Sequence, residues 1–283
     1  MKKILFDSHS HISDEGYADI HDQLIEEIRN SQIKYCIDIG SSLKTSLDSI
    51  ESADLYDFCF ASVGVHPSEV EELTEEKLEE CLNAYLTHPK VVAIGEIGLD
   101  YHYDDGPAKE LQQYWFGKQI DWAVEHKAPI CIHSREADED CMRILKEHGA
   151  LSKKRSQDFP PKPDGSPDCR VLLHCFSGSA ELACQYIKLG ASISLGGPVT
   201  FKNARKAVEV AEAVDIGNLL IETDSPYMAP VPLRGTQNKP VNVEYVARKI
   251  AQIKGISYED AALATLKNAC RFYGIEDKEQ PSA

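Results

Sequence analysis

Eight short apolar or β-branched runs, each followed by an amphipathic stretch, set the tightest limit on what this chain can fold into. The runs are Lys3–Asp7, Tyr35–Ile39, Phe58–Val65, Val91–Gly95, Pro129–His133, Arg170–His174, Ala191–Leu195 and Leu219–Glu222. Helical periodicity falls between them, over Tyr17–Ser31, Leu43–Asp54, Thr74–His88, Glu110–His126, Glu136–Gly149, Ala180–Leu189 and Asn203–Val214. Two more helical stretches follow, Asn242–Lys254 and Ser257–Tyr273. Strict alternation predicts a parallel sheet, because parallel neighbours need a crossover between them. Eight units predict an α/β (β/α)8 TIM-type barrel. The alternative, an open doubly wound nucleotide-binding sheet, needs a glycine-rich turn after its first strand. Here that turn reads Asp7-Ser8-His9-Ser10-His11, without glycine. The length of 283 residues suits one barrel of about 250 residues. We expect one barrel domain over residues 1–275 and a polar tail over 276–283.

The chain carries 30 Lys+Arg against 46 Asp+Glu, a formal net charge of −16. Such a protein does not bind nucleic acid with its whole surface, because that requires Lys and Arg to displace phosphate counterions. Any contact with nucleic acid must be local. The opening MKKILFDSHSH does not read as a signal peptide, since Asp7 cuts its apolar run short. No segment approaches the ~20 apolar residues of a membrane span, so no membrane partner is expected. The nine cysteines are scattered and form no CxxC pair. Free thiols in a reducing compartment, and hence a cytoplasmic protein, fit that pattern. The oligomeric state expected is a monomer.

Residue types that bind metals recur at the C-terminal ends of the expected strands. His9 and His11 follow the first, His66 the third and Glu96 the fourth. His133 and His174 end the fifth and sixth, and Glu222 and Asp224 lie at the end of the eighth. In a parallel barrel these ends converge on one mouth, where active sites are built. An isolated His-x-His means little, but a mouth holding this many imidazoles and carboxylates is costly unless they pair or bind metal. His9, His11 and Asp224 suit one divalent cation, and His133 and His174 a second. Glu96 is placed to bridge the two. Nitrogen and oxygen donors without thiolate suit Zn, Mn, Co or Mg, with the imidazoles leaning toward a transition metal. Such a pair of cations activates water for attack on a phosphoryl group.

Arg135, Arg234 and Lys202 are candidate phosphate holders, since a guanidinium donates in a planar fork. His66 is a candidate contact for phosphate or leaving group. Tyr101, Tyr103, Phe176 and Phe201 are candidate stacking rings at the mouth. The segment Ser152–Asp168, with Lys153, Lys154 and Arg155, reads as a solvated surface loop, with contact to a polyanion as the alternative.

The motifs FDSHSH, GVHP, GEIGLDY, PICIHSR, LLHCFSG, SLGGPVTFK, ETDSPYMAP and PLRGTQNKP, in this order from Phe6 to about Phe272, resemble the TatD family of metal-dependent hydrolases. The resemblance implies an amidohydrolase-like barrel with divalent metals and deoxyribonuclease activity, as an exonuclease on single-stranded DNA. It implies that His9, His11, Glu96, His133, His174 and Asp224 are the metal ligands. Two features depart from the family pattern. No basic residue follows Gly235, and the loop Ser152–Asp168 is long. The activity expected is hydrolysis of DNA phosphodiester bonds by metal-activated water. Asp224 and Glu96 would serve catalysis with His66, and Arg135, Arg234 and His66 would hold phosphate. The alternatives are a hydrolase of a small amide or ester, and a metal-containing scaffold without turnover.

Overall fold

The computed structural model describes residues 2–277. Eight parallel strands form one sheet in sequence order, as the alternation predicts. They are β1 (Leu5–Ser10), β2 (Ile33–Ile39), β3 (Cys59–Val63), β4 (Val91–Asp100), β5 (Ile130–Arg135), β6 (Val171–Leu173), β7 (Ser192–Leu195) and β8 (Leu219–Ile221). The sheet is a nearly closed barrel, and an isolated parallel bridge joins Ser10 of β1 to Ser225, just past β8. His11 N–H donates to Ser225 O at 2.8 Å, and Asp224 N–H to His9 O at 2.9 Å. The helices are α1 (His21–Asn30), α2 (Leu43–Leu55), α3 (Glu75–Thr87), α4 (Lys109–Glu125), α5 (Asp138–Glu147), α6 (Ala180–Lys188), α7 (Arg205–Ala213), α8 (Val243–Lys254) and α9 (Tyr258–Tyr273). Each of α2, α3, α6 and α9 starts at a Ser or Thr whose side chain accepts a backbone N–H of the first turn, satisfying a donor that would otherwise be orphaned. The expected first helix is shorter than its periodicity suggests, because Glu15–Ile20 forms a tighter 3-10 turn.

Two strand boundaries matter for the site. β1 and β4 run past the ends expected from sequence, so His9 and Glu96 lie inside strands. A register shift between Asp7 and Ser10 interrupts the β1–β2 ladder. Such a bulge re-aims side chains near active sites. β4 is continuous through Glu96 because two glycines let neighbouring chains approach. A Cβ at Gly95 would sit 2.6 Å from Cys131 Cβ, and one at Gly98 only 1.9 Å from His133 O.

The barrel interior is apolar below and polar above. Phe6, Ile37, Ala93, Cys131, Leu172 and Leu220 pack against Leu266, Phe272 and Tyr273 of α9. Tyr273 donates its hydroxyl to Ser8 O at 2.7 Å. No described helix is long and apolar enough to cross a membrane. All nine cysteines are free. The expected tail falls mostly at 278–283, outside the described residues.

The segment Ser152–Asp168 is the largely exposed loop read from its composition, but two of its cations are buried. Arg155 is 1% exposed. It donates to Cys169 O at 2.8 Å, Ala123 O at 3.3 Å and Ala128 O at 2.6 Å. Lys162 is 2% exposed, and its ammonium donates to Ala191 O and Asn218 Oδ1. Burial holds both cations down, Arg155 to about 10 and Lys162 to about 8. Only Lys153 and Lys154 of the basic run face solvent. The loop leads into β6, so these cations cap carbonyls at the strand-entry end, away from the mouth. Arg155→Met strips the donors from three carbonyls. It should cost about 3 kcal/mol, seen as a lower denaturation midpoint, with metal content of the folded protein unchanged.

Candidate metal centre

The six ligand candidates, scattered from residue 9 to residue 224, meet at the mouth. Glu96, 5% exposed, stands at the middle with its two oxygens facing different imidazoles. Oε1 is 2.7 Å from His133 Nδ1 and 2.8 Å from His174 Nε2. Oε2 is 3.5 Å from His9 Nε2. Asp224 Oδ1 lies 3.8 Å from His9 Nε2 and 3.6 Å from His11 Nε2. The His9 and His174 rings stack across the barrel at 3.8 Å between centroids. Asp224 and Cys175, which follows His174, both take left-handed backbone conformations. For residues other than glycine these are strained and concentrate at functional sites.

Two observations test whether cations fit here. Two donors each about 2.1 Å from one tetrahedral ion stand roughly 3.4 Å apart, and the separations above bracket that value. Donor atoms of Glu96, His133 and His174, and of His9, His11 and Glu96, lie within 4.8 Å of one another. Second, both ring nitrogens of His9 are buried without a hydrogen-bond partner, which is costly in a metal-free interior. Among the described residues, the only basic groups within 4 Å of Glu96 or Asp224 are imidazoles. The donor set fits two divalent cations sharing Glu96.

Charge balance in the protein alone falls on the histidines. Burial pushes the Glu96 carboxyl up, but the charge on His174 and hydrogen bonds from His133, His174 and His9 outweigh it and hold it well below its usual value. Asp224 is likewise lowered, its burial offset first by the hydrogen bond with His11. Burial opposes protonation of His11 and His174, yet Asp224 raises the first to about 9, and Glu96 with Glu222 raises the second. Burial lowers His9 and brings His66 down to about 4.

The other predicted residues divide. His66 reaches the centre, its Nε2 3.9 Å from Glu96 Oε1. Arg135 donates to the Tyr103 hydroxyl at 3.2 Å and lies over that ring. Arg234, exposed, lies 4.5 Å over the Phe201 ring. Lys202 is exposed beside Phe201 without a contact to the centre. Tyr101 and Phe176 serve packing. Tyr101 donates to Asp140, and buried Phe176 packs on Tyr186. Glu222 lies 3.4 Å from His174 Nδ1 and accepts the Cys175 N–H at 2.6 Å.

Sequence reasoning missed four groups. Asp100 places Oδ2 3.2 Å from His133 Nε2. Gln112 pairs with both backbone groups of Asp100, each at 2.9 Å. Gln119 does the same for Val65, at 2.9 and 3.0 Å. Tyr227 is 56% exposed, its ring 6.3 Å from that of His11. Two glutamines on the buried face of α4 were the available signal.

A model of TatD-related DNases matches residues 6–274. The chain belongs to that family. It is 40% identical to the uncharacterized metal-dependent hydrolase YabD of Bacillus subtilis, over 96% of this chain and 100% of that one. It is 34% identical to the uncharacterized metal-dependent hydrolase YcfH of Escherichia coli, over 96% of each. Among solved structures, the TatD homologue YjjV of Escherichia coli superposes with a TM-score of 0.84 at 26% identity, covering 98% of this chain and 100% of that one.

Ligands that bind only the folded protein stabilise it by mass action. A divalent cation at about 100 times its dissociation constant should add about 2.7 kcal/mol per site, measured as a raised denaturation midpoint. Chelator should reverse the gain, and Glu96→Ala should abolish most of it.

Proposed function

We propose that this protein is a metal-dependent deoxyribonuclease that hydrolyses phosphodiester bonds at an end of single-stranded DNA. The observation that carries the reading is the carboxylate of Glu96 facing two imidazole clusters, with Arg135 at the same mouth. The family match to TatD-related DNases and the metal-dependent hydrolases YabD and YcfH support it.

His9, His11 and Asp224 would hold one cation, His133 and His174 the other, and Glu96 both. When bound, divalent cations supply Lewis acidity, which acidifies water and neutralises phosphoryl oxygens. Asp224 orients the attacking water and takes its proton. A bond from that water oxygen to phosphorus forms as the bond to the departing sugar oxygen breaks. His66, neutral under the burial described above, hydrogen-bonds the departing oxygen, which takes its proton from solvent. Arg135 and Arg234 donate to phosphate oxygens on either side of the scissile bond. Tyr103 and Tyr227, 59% and 56% exposed, offer rings to unpaired bases, a contact that tolerates any sequence. Exposed rings and guanidinium groups at the rim favour a polymer over a small amide or ester.

The test is cleavage of an end-labelled single-stranded oligonucleotide. Glu96→Ala and His133→Ala should each lower kcat/KM at least ~100-fold. Arg135→Ala should act mainly on KM, raising it about 10-fold for the loss of one charged hydrogen bond. Chelation should stop turnover, and added cation should restore it. Undiminished cleavage in both ligand variants overturns the site assignment, and faster turnover of simple amides or esters overturns the substrate.

A further inference from the structure

Asp100 lies outside the six ligand candidates, yet its backbone and both its carboxylate oxygens have partners at the mouth. Its residue is 8% exposed. Gln112 grips its backbone N–H and C=O, and its Oδ1 accepts the His102 N–H at 3.0 Å. These contacts leave Oδ2 directed at His133 Nε2, 3.2 Å away. The other nitrogen of that ring, Nδ1, lies 2.7 Å from Glu96 Oε1 and 3.4 Å from His174 Nε2. A neutral imidazole has one N–H and one lone pair, and a carboxylate can only accept. Both nitrogens of His133 therefore face carboxylates, and a cation held by Glu96 and His174 would take the lone pair of Nδ1 and leave the one ring proton on Nε2, where Asp100 accepts it.

We infer that Asp100 is a positioning residue that fixes His133 as the Nε2–H tautomer, so that Nδ1 is the atom offered to a cation shared with Glu96 and His174. The inference rests on the cation sites proposed above, though not on the substrate. His11 follows the same rule. Its Nδ1 faces Ile39 O at 3.0 Å, a carbonyl that can only accept, and its Nε2 is left facing Asp224.

The competing reading makes Asp100 a ligand itself, because donor atoms of His66, Asp100 and His133 also lie within 4.8 Å of one another. The geometry at His66 argues against a third cation. His66 Nδ1 accepts the Ser68 backbone N–H at 3.1 Å. The proton of neutral His66 is therefore on Nε2, the nitrogen facing the centre, and that nitrogen has no lone pair to give. Asp100 and His133 are left as a pair.

The experiment is cobalt(II) titration of chelator-stripped wild type, Asp100→Ala and Asp100→Asn, followed by visible absorption and metal analysis. A second measurement is 15N NMR of the histidine side chains in the zinc-loaded wild type, which needs no variant to fold. We expect two cations per wild-type chain. Asp100→Ala should weaken one of the two about 10- to 100-fold. Asp100→Asn, which keeps an acceptor oxygen, should recover most of that loss. The NMR spectrum should show a protonated Nε2 and a ligating Nδ1 on His133. Wild-type affinity at both sites in Asp100→Ala overturns the inference, as does the opposite tautomer. Three cations in the wild type falling to two in Asp100→Ala would make Asp100 a ligand and overturn it too. A wild type that takes no cation overturns this inference together with the cation sites. No DNA enters the experiment, so the substrate stands or falls on the cleavage assay alone.

Discussion

The arrangement at the mouth depends on one buried carboxylate with two faces. Glu96 addresses His133 and His174 with one oxygen and His9 with the other. An ionised carboxylate removed from water is destabilising by several kcal/mol unless it is fully partnered. Its partners come from β1, β5 and β6, strands that a parallel barrel alone brings to one end. The backbone is adapted to that carboxylate as well. β4 continues through Glu96 into Asp100, with Gly95 and Gly98 at the points where a Cβ would collide with β5. The fold and the site are thus coupled at this strand, and the glycines beside Glu96 are a packing requirement of the chemistry.

Helix α4 sets the height of two of the mouth's side chains. Gln112 and Gln119 are seven residues apart, two helical turns, and so share a face. Each buries its amide and makes a pair of hydrogen bonds to the backbone of one strand-end residue, Gln112 to Asp100 and Gln119 to Val65. Val65 precedes His66, and Asp100 faces His133. A loop alone would leave these positions soft, since loop backbone has few fixed partners. Two buried amides with their donors and acceptors matched convert the rigidity of a helix into the placement of an imidazole and a carboxylate. An apolar residue at either position would leave a strand-end N–H and C=O unpaired in a buried setting, which is the costly side of hydrogen-bond energetics.

The barrel and the side chains that meet at its mouth were legible in the sequence because both depend on residue type at a coarse period. Alternating apolar runs mark strands, and imidazoles or carboxylates at their ends mark a mouth. The supporting groups were not legible, because what distinguishes Asp100 from other aspartates is a hydrogen bond to a residue 33 positions away. Gln112 and Gln119 looked like ordinary polar helix positions, and only the buried face of α4 gives them meaning. The run Lys153-Lys154-Arg155 misled for a physical reason. Charge in a loop suggests solvent, but Arg155 carries enough donors to satisfy three carbonyls where the chain leaves α4 and enters β6. The rings divided on the same principle. Tyr103 and Phe201 lie under guanidinium groups, while Tyr101 and Phe176 are held by the packing behind the mouth.

A chain with a net charge of −16 that acts on a polyanion, as proposed above, needs its attraction to be local. At physiological salt, exposed charges farther apart than about 8 Å scarcely sense one another. The distributed acidity of the outer helices is therefore compatible with phosphate binding, provided that the mouth itself is not negative. Glu96, Asp100, Glu222 and Asp224 lie there together, and the imidazoles around them offset that charge only while protonated. Cations in the mouth, at the sites proposed above, would remove the repulsion at the distance where it matters and replace the protons on the imidazoles that hold them. Phosphate and cation then stabilise one another's binding, and linkage makes the coupling reciprocal. On this reading the acidity of the mouth works as a condition on binding. Phosphate is attracted at short range to the loaded site and repelled by the empty one, and the acidic exterior contributes little to either.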